Sequence, residues 1–250
     1  MFGMEWSMVA ILSIALFLGG IVKGVVGLGL PIVAIAILLN FVPPLTALGL
    51  MVAPILITNL WQMVRSGNIM EPLRRFWVMI LCALICLFIG AELVVAMDTK
   101  VLFGVLGACV VVFSGSNLIR PRLHPLDPKT EKWVAPIAGA AGGMLGGIST
   151  IWGPPMMMFF VALKLPKDDF VRAVGMAWFT LSLPLAFAYW RNGIFSGDVI
   201  YLSVFACIPG MVGIRIGEVI RERINQETFR KVMLVMLFLI GLNLIRRAVF

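Results

Sequence analysis

The chain has 250 residues, of which 61% are hydrophobic and 13% charged, with 25 glycines and a mean hydropathy of +1.06. Soluble domains run near roughly 45–50% apolar and 25% charged, so a soluble enzyme, a disordered chain and a disulfide scaffold are excluded and the natural solvent is lipid. The net charge of +8 belongs, in such a chain, to cytoplasmic loops rather than to nucleic acid.

Eight apolar stretches follow one another, over roughly 6–41, 45–64, 76–96, 101–119, 134–163, 170–190, 197–219 and 228–245. The leading MFGMEWS has no positive n-region, so the first stretch is expected to stay in the mature protein. Six stretches have the length of one membrane-spanning helix, about 18 to 23 residues. The first and fifth are too long for one straight crossing of a core about 30 Å thick. Both carry breakers in the middle: GGIVKGVVGLGLP from Gly19 to Pro31, and GAAGGMLGGISTIWGPP from Gly139 to Pro155. Gly tolerates unusual backbone angles and Pro lacks the helical donor, so either stretch can bend, unwind or reverse there. Irregular backbone at membrane depth persists only when buried in protein or lining a wet cavity.

One clearly polar segment, RPRLHPLDPKTEK from Arg120 to Lys132, divides the chain nearly in half. The halves repeat at an offset of 126. Asn117-Leu118-Ile119-Arg120 recurs as Asn243-Leu244-Ile245-Arg246, and Glu92, Arg65, Gly67 and Gly49 recur as Glu218, Arg191, Gly193 and Gly175. A three-residue gap aligns Gly20, Gly24 and Pro31 with Gly143, Gly147 and Pro154.

Positive charge then tests the topology. If each long stretch crosses once, the loop cations divide ten against eight and set no orientation. If each goes in and comes back, they divide four against fourteen, a clear positive-inside bias. That reading places both termini outside the cytoplasm and the 120–133 linker inside it. It predicts an all-α polytopic membrane protein of two inverted repeats, 1–119 and 134–250, each a broken or re-entrant helix plus three transmembrane helices. Broken helices in inverted repeats are a recurring design of secondary transporters.

The two Gly/Pro elements, Gly20-x3-Gly24-x2-Gly27-x-Gly29-x-Pro31 and Gly142-Gly143-x2-Gly146-Gly147 followed by Gly153-Pro154-Pro155, resemble those of the TauE/SafE family of sulfite and organosulfonate exporters. Leu28 and Leu30 depart from the glycine-rich pattern. The resemblance implies a transporter of small sulfur-containing anions, such as sulfite, thiosulfate or sulfoacetate, in the inner (plasma) membrane.

A broken helix presents free N–H groups and the positive end of a dipole, which suits a cluster of anionic oxygens. Gly27, Gly29, Ser149, Thr150, Trp152 and Gly153 are therefore the first candidates for substrate binding, unless the glycines serve only close helix packing. Lys23, between Gly20 and Gly24 in the first apolar stretch, is a costly cation unless it faces a cavity or partner; it is read as an anion ligand, with snorkelling as the plainer account. Thr58, Asn59 and Gln62 form a polar strip extended by Arg65, with Trp178, Thr180 and Ser182 as its counterpart. Asn59 and Gln62 either line the path or join helices.

Arg215 and Glu218 share a helix face and are expected to pair. Glu92 and Glu218, repeat mates, are candidates for a coupling proton or for solvated helix ends. Trp77, Trp133, Tyr189 and Trp190 are expected as interface anchors, and Cys82, Cys86, Cys109 and Cys207 as packing residues. With His124 alone in a polar loop and no P-loop, HExxH or GxSxG sequence, no enzyme, metal or cofactor is expected. The expected partners are a small anion and the bilayer, with a homodimer left open. The rival readings are an anion channel and an importer of another small organic anion.

Overall fold

A computed structural model describes residues 6–26, 29–67, 70–119, 126–223 and 226–249. Eleven helices are found among them: α1 Trp6–Val26, α2 Leu30–Leu38, α3 Pro44–Ser66, α4 Met70–Arg75, α5 Trp77–Ala96, α6 Thr99–Ile119, α7 Pro128–Ser149, α8 Gly153–Ala162, α9 Lys167–Arg191, α10 Asp198–Arg223 and α11 Gln226–Val249. In six of them (α1, α3, α5, α6, α9 and α10) the apolar run is long enough to cross a bilayer, and the chain is a multi-pass membrane protein.

Both long stretches divide, and both reverse. The first becomes α1, with 21 residues, and α2, with nine; at 1.5 Å per residue these measure about 31 Å and 14 Å. The fifth becomes α7, with 22 residues, and α8, with ten. Each is thus a lopsided hairpin, one arm long enough to cross and one too short. The short arm runs back along the long one. A side chain on Gly19 would meet the Leu30 carbonyl oxygen at 2.8 Å, and one on Gly29 would meet Val22. In the second hairpin Gly146 faces Trp152 and Gly142 faces Met156, an antiparallel progression.

Two local features lie outside the sequence expectation. Helix α7 begins at Pro128, inside the segment read as linker, because Asp127 caps it. The Asp127 carboxylate accepts the Thr130 N–H at 2.6 Å, and that bond holds its pKa below the ordinary carboxylate value. Helix α4 is a single short element, with Glu71 in its first turn and Arg74 and Arg75 in its last, the arrangement its dipole favours.

The element order repeats: a long helix, a short return helix, then three further helical spans, with α4 and α5 together matching α10. The local geometry repeats as well. Gly67 and Gly193, 126 residues apart in sequence, both take left-handed backbone (φ +84° and +72°) just past the ends of α3 and α9.

The chain forms two compact units that interleave these halves. One comprises Met1–Ile55, Asp98–Leu118 and Ile194–Phe250; the other comprises Leu56–Met97 and Ile119–Gly193.

In the first unit α1 lies parallel to α10. Gly20 rests on the Gly210 carbonyl and Gly213, and Gly24 on the Ile214 carbonyl and Gly217. Helices α6 and α11 run antiparallel, with Gly104 beside Ala248, Gly107 beside Ile245 and Gly115 beside Phe238. Pro54, inside α3, cannot donate to the Leu50 carbonyl. The Ser203 hydroxyl of α10 donates to that carbonyl and accepts the Ala53 N–H, both at 3.0 Å. A hydroxyl from a neighbouring helix thus closes the gap that proline leaves in a span.

In the second unit α5 lies parallel to α7, with Gly139 against Met79, Gly143 against Ala83, and Gly147 against Leu87 and Gly90. Since α7 is the repeat mate of α1 and α5 that of α10, one glycine-mediated crossing is built twice with the halves exchanged. Such backbone-to-backbone approach supplies the dispersion that holds helices together where lipid removes the hydrophobic drive.

Candidate functional site

The turn of the second hairpin holds a β-branched residue in left-handed backbone. Helix α7 ends at Ser149, and Thr150 follows with φ 59°, ψ 10°. The left-handed region is unfavourable for a β-branched residue. Hydrogen bonds pin it there: the Thr150 N–H reaches the Gly146 carbonyl at 2.8 Å, and the Ser149 hydroxyl donates to Leu145 O at 2.7 Å and accepts the Ile151 N–H at 3.2 Å. The Tyr189 hydroxyl of α9 donates to the Gly147 carbonyl at 2.8 Å. In that environment Thr150 is only 1% exposed, yet its Oγ1 makes no hydrogen bond among the described residues.

A wall of aromatic and polar side chains continues from the turn. Trp152, buried, caps α8, and its ring stands 6.3 Å from that of Trp178 on α9. The Trp178 carbonyl accepts the Ser182 hydroxyl at 2.6 Å, and the Asn59 amide of α3 donates to Ser182 Oγ at 2.9 Å. Thus Asn59, Ser149, Thr150 and Trp152, all expected at the site, are joined within one unit through Trp178 and Ser182. Gln62 lies one turn beyond Asn59 and is half-buried, and Arg65 stacks over Trp61 at 5.4 Å.

The N-terminus of α8 donates less than a bare helix end. Pro154 and Pro155 remove two of the first three N–H groups and leave that of Gly153. In α2 only Pro31 is missing as a donor, and the Leu30 and Ile32 amides remain. The free-amide cradle expected at both breaks is therefore reduced at the second, where the buried Thr150 hydroxyl stands three residues ahead of the first residue of α8.

In the first unit Gly29 adopts φ +104° as the residue before α2, a conformation suited to glycine. Lys23 occupies the last turn of α1 and is half-buried. The break expected in this stretch puts Lys23 near a helix end, where the dipole favours a cation. Gly27 and His124 lie outside the described residues.

The acidic candidates are engaged with arginines. Glu92 pairs with Arg191, and Glu218 pairs with Arg215 at 3.3 Å, three residues away on α10. Among the described residues no three His, Cys, Asp or Glu side chains gather as metal ligands.

Tyr189 corrects the expectation of an interface anchor: it is fully buried, whereas Trp77, Trp133 and Trp190 are exposed. Adjacent residues on a helix point about 100° apart, so Tyr189 can face the protein while Trp190 faces outward. That spacing was the available signal. Ser203 had none, because its role depends on Pro54 in a distant helix.

The family model of the sulfite exporter TauE/SafE family matches residues 12–244. No curated protein and no solved structure matches the chain. The chain belongs to the TauE/SafE family, and it is a transmembrane transporter.

Proposed function

We propose that this transporter exports small sulfur-containing anions, such as sulfite, thiosulfate or organosulfonates, by alternating access, with its hairpin turns as the substrate-binding elements. The observation that carries the reading is Thr150: a β-branched residue held in left-handed backbone, buried, with a hydroxyl that no group among the described residues engages. Strain of about 1–3 kcal/mol persists at positions where it is part of function, and a buried hydroxyl without a partner adds a cost of about 1–3 kcal/mol. A bound oxyanion would accept that hydrogen bond. In this reading Ser149, Trp152, Gly153, Asn59 and Gln62 shape the site around Thr150, while Gly27, Gly29 and Lys23 serve the first hairpin. Glu92 and Glu218, engaged with arginines, act as ion-pair partners rather than coupling acids.

Two observations support inverted repeats. The repeat mates α6 and α11 run antiparallel in the first unit, and one crossing recurs with the halves exchanged. The orientation follows from charge. One end of the second unit gathers Arg74, Arg75, Lys129, Lys132 and Arg172, which argues for a cytoplasmic face there and for extracytoplasmic termini.

The test is thermal stabilisation of the detergent-purified chain by sulfite, thiosulfate, sulfoacetate, taurine, sulfate, phosphate and small carboxylates. A ligand at a hundredfold excess over Kd stabilises by about 2.7 kcal/mol. The expected result is a shift with sulfite, thiosulfate or a sulfonate that Thr150→Val, which keeps shape and strain but removes the hydroxyl, weakens about tenfold or more. A shift confined to carboxylates, or an undiminished response in the Val variant, overturns the assignment.

A further inference from the structure

The cationic end of the second unit holds a groove. Helix α8 returns along α7 so that the Leu126 N–H bonds to Ala162 O at 3.1 Å, and α5 lies parallel to α7. The starts of α5, α7 and α9 therefore gather at one end with α4. Between the first turns of α5 and α7 a surface groove of about 540 Å³ opens. It begins where the glycine contact stops: Gly139 admits the Met79 backbone, whereas one turn earlier Ala135 and Lys132 stand opposite Phe76 and Arg75.

The groove is graded from polar to apolar. Its rim carries Arg75, Glu131 and Lys132, and its floor carries Val78, Met79 and Ala135. Arg75 grips Glu131 through Nε and Nη2 at 3.1–3.2 Å, so the carboxylate is already neutralised. Lys132, exposed, then leaves the rim with one positive charge in excess; Arg74 and Lys129, also exposed, belong to the same end of the unit without lining the groove. Trp77 (59% exposed) and Trp133 (77% exposed) flank it, as indole side chains do at headgroup level.

A cationic rim above an apolar floor, at the depth indole marks, fits a lipid whose phosphate diester carries a net negative charge. We propose that this groove binds an anionic phospholipid of the adjoining leaflet, its headgroup against Lys132 and Arg75 and the start of an acyl chain along Val78, Met79 and Ala135. Positive charge at a membrane face and anionic lipid in the leaflet attract each other; a structural groove makes that attraction site-specific. This inference stands apart from the identity of the transported anion.

The experiment uses the full chain in detergent. Phosphatidylglycerol, phosphatidylcholine with the same acyl chains, and inorganic phosphate are titrated separately, with bound lipid read by native mass spectrometry and stability by melting. Phosphatidylglycerol is expected to remain bound and raise Tm, with phosphatidylcholine and phosphate at least tenfold weaker. Lys132→Gln should cut phosphatidylglycerol affinity about fivefold, the effect of one cation near an anionic surface. Ala135→Trp, which fills the floor, should abolish retention; if that variant does not fold, Lys132→Gln decides alone. Equal binding of the two lipids, an equal response to free phosphate, or unchanged affinity in Lys132→Gln overturns the proposal.

Discussion

Thr150 carries two separable costs, and substitution can remove them one at a time. Its hydroxyl is buried without a hydrogen bond among the described residues, and its backbone sits at φ 59°. Thr150→Gly removes both the hydroxyl and the strain, since glycine enters the left-handed region freely. We expect this variant to melt at or above the parent, with a gain of up to about 1 kcal/mol, while its response to the preferred anion falls. A loss of stability greater than about 1 kcal/mol would show that the left-handed turn is not strained. The chemistry of this position was legible in the sequence, because Ser149 and Thr150 stand among the glycines and prolines that favour a break between Gly139 and Pro155. Its conformation was not, since φ depends on how α7 is pinned by Tyr189 and Ser149. For the same reason the place of Lys23 in the last turn of α1 was not legible: distance along a stretch measures depth only while the helix stays straight.

At the level of elements, each crossing is decided by which glycines touch backbone. On α10 the contrast lies within one turn. A side chain at Gly213 would strike the Phe17 carbonyl, whereas one at Gly210 would stand 3.8 Å from the Leu16 side chain, an ordinary van der Waals distance. Gly213→Ala must therefore push α1 and α10 apart, and overpacking of this kind costs about 1–3 kcal/mol. Gly210→Ala is expected to be neutral or to gain up to about 1 kcal/mol from helix propensity. Melting of the two variants in one detergent checks this, and similar Tm values would refute the packing assignment. The breaks themselves were readable from length and from Gly and Pro alone, and the helix ends follow the apolar stretches within a few residues. The pairing of α1 with α10 and of α5 with α7 was not readable, because glycine at four-residue spacing announces a close contact without naming the partner. Helix α4 escaped notice for a related reason: six residues are too few to show a hydrophobic period.

At the scale of the whole molecule, the NLIR tetrapeptide recurs in the sequence, and the interleaving of the two halves in the compact units was not legible there. Transport energetics at this scale turn on charge. The proposed substrates are anions, and a membrane potential contributes about 2.3 kcal/mol per charge per 100 mV. An anion leaving a negative interior thus has its driving force without a second ion, and the acidic residues most suited to carry a proton, Glu92 and Glu218, are held by Arg191 and Arg215. The expectation is uncoupled, potential-driven flux. In sealed proteoliposomes a potassium diffusion potential of about 100 mV should sustain a gradient of roughly fiftyfold for a monovalent sulfonate, the equilibrium ratio that this energy sets. The gradient should collapse when the potential is shorted and should ignore an imposed pH difference. A gradient that follows ΔpH instead would mean proton coupling and would return Glu92 and Glu218 to the mechanism. Flux that rises linearly with concentration, without saturation or exchange, would mark an anion channel in place of alternating access.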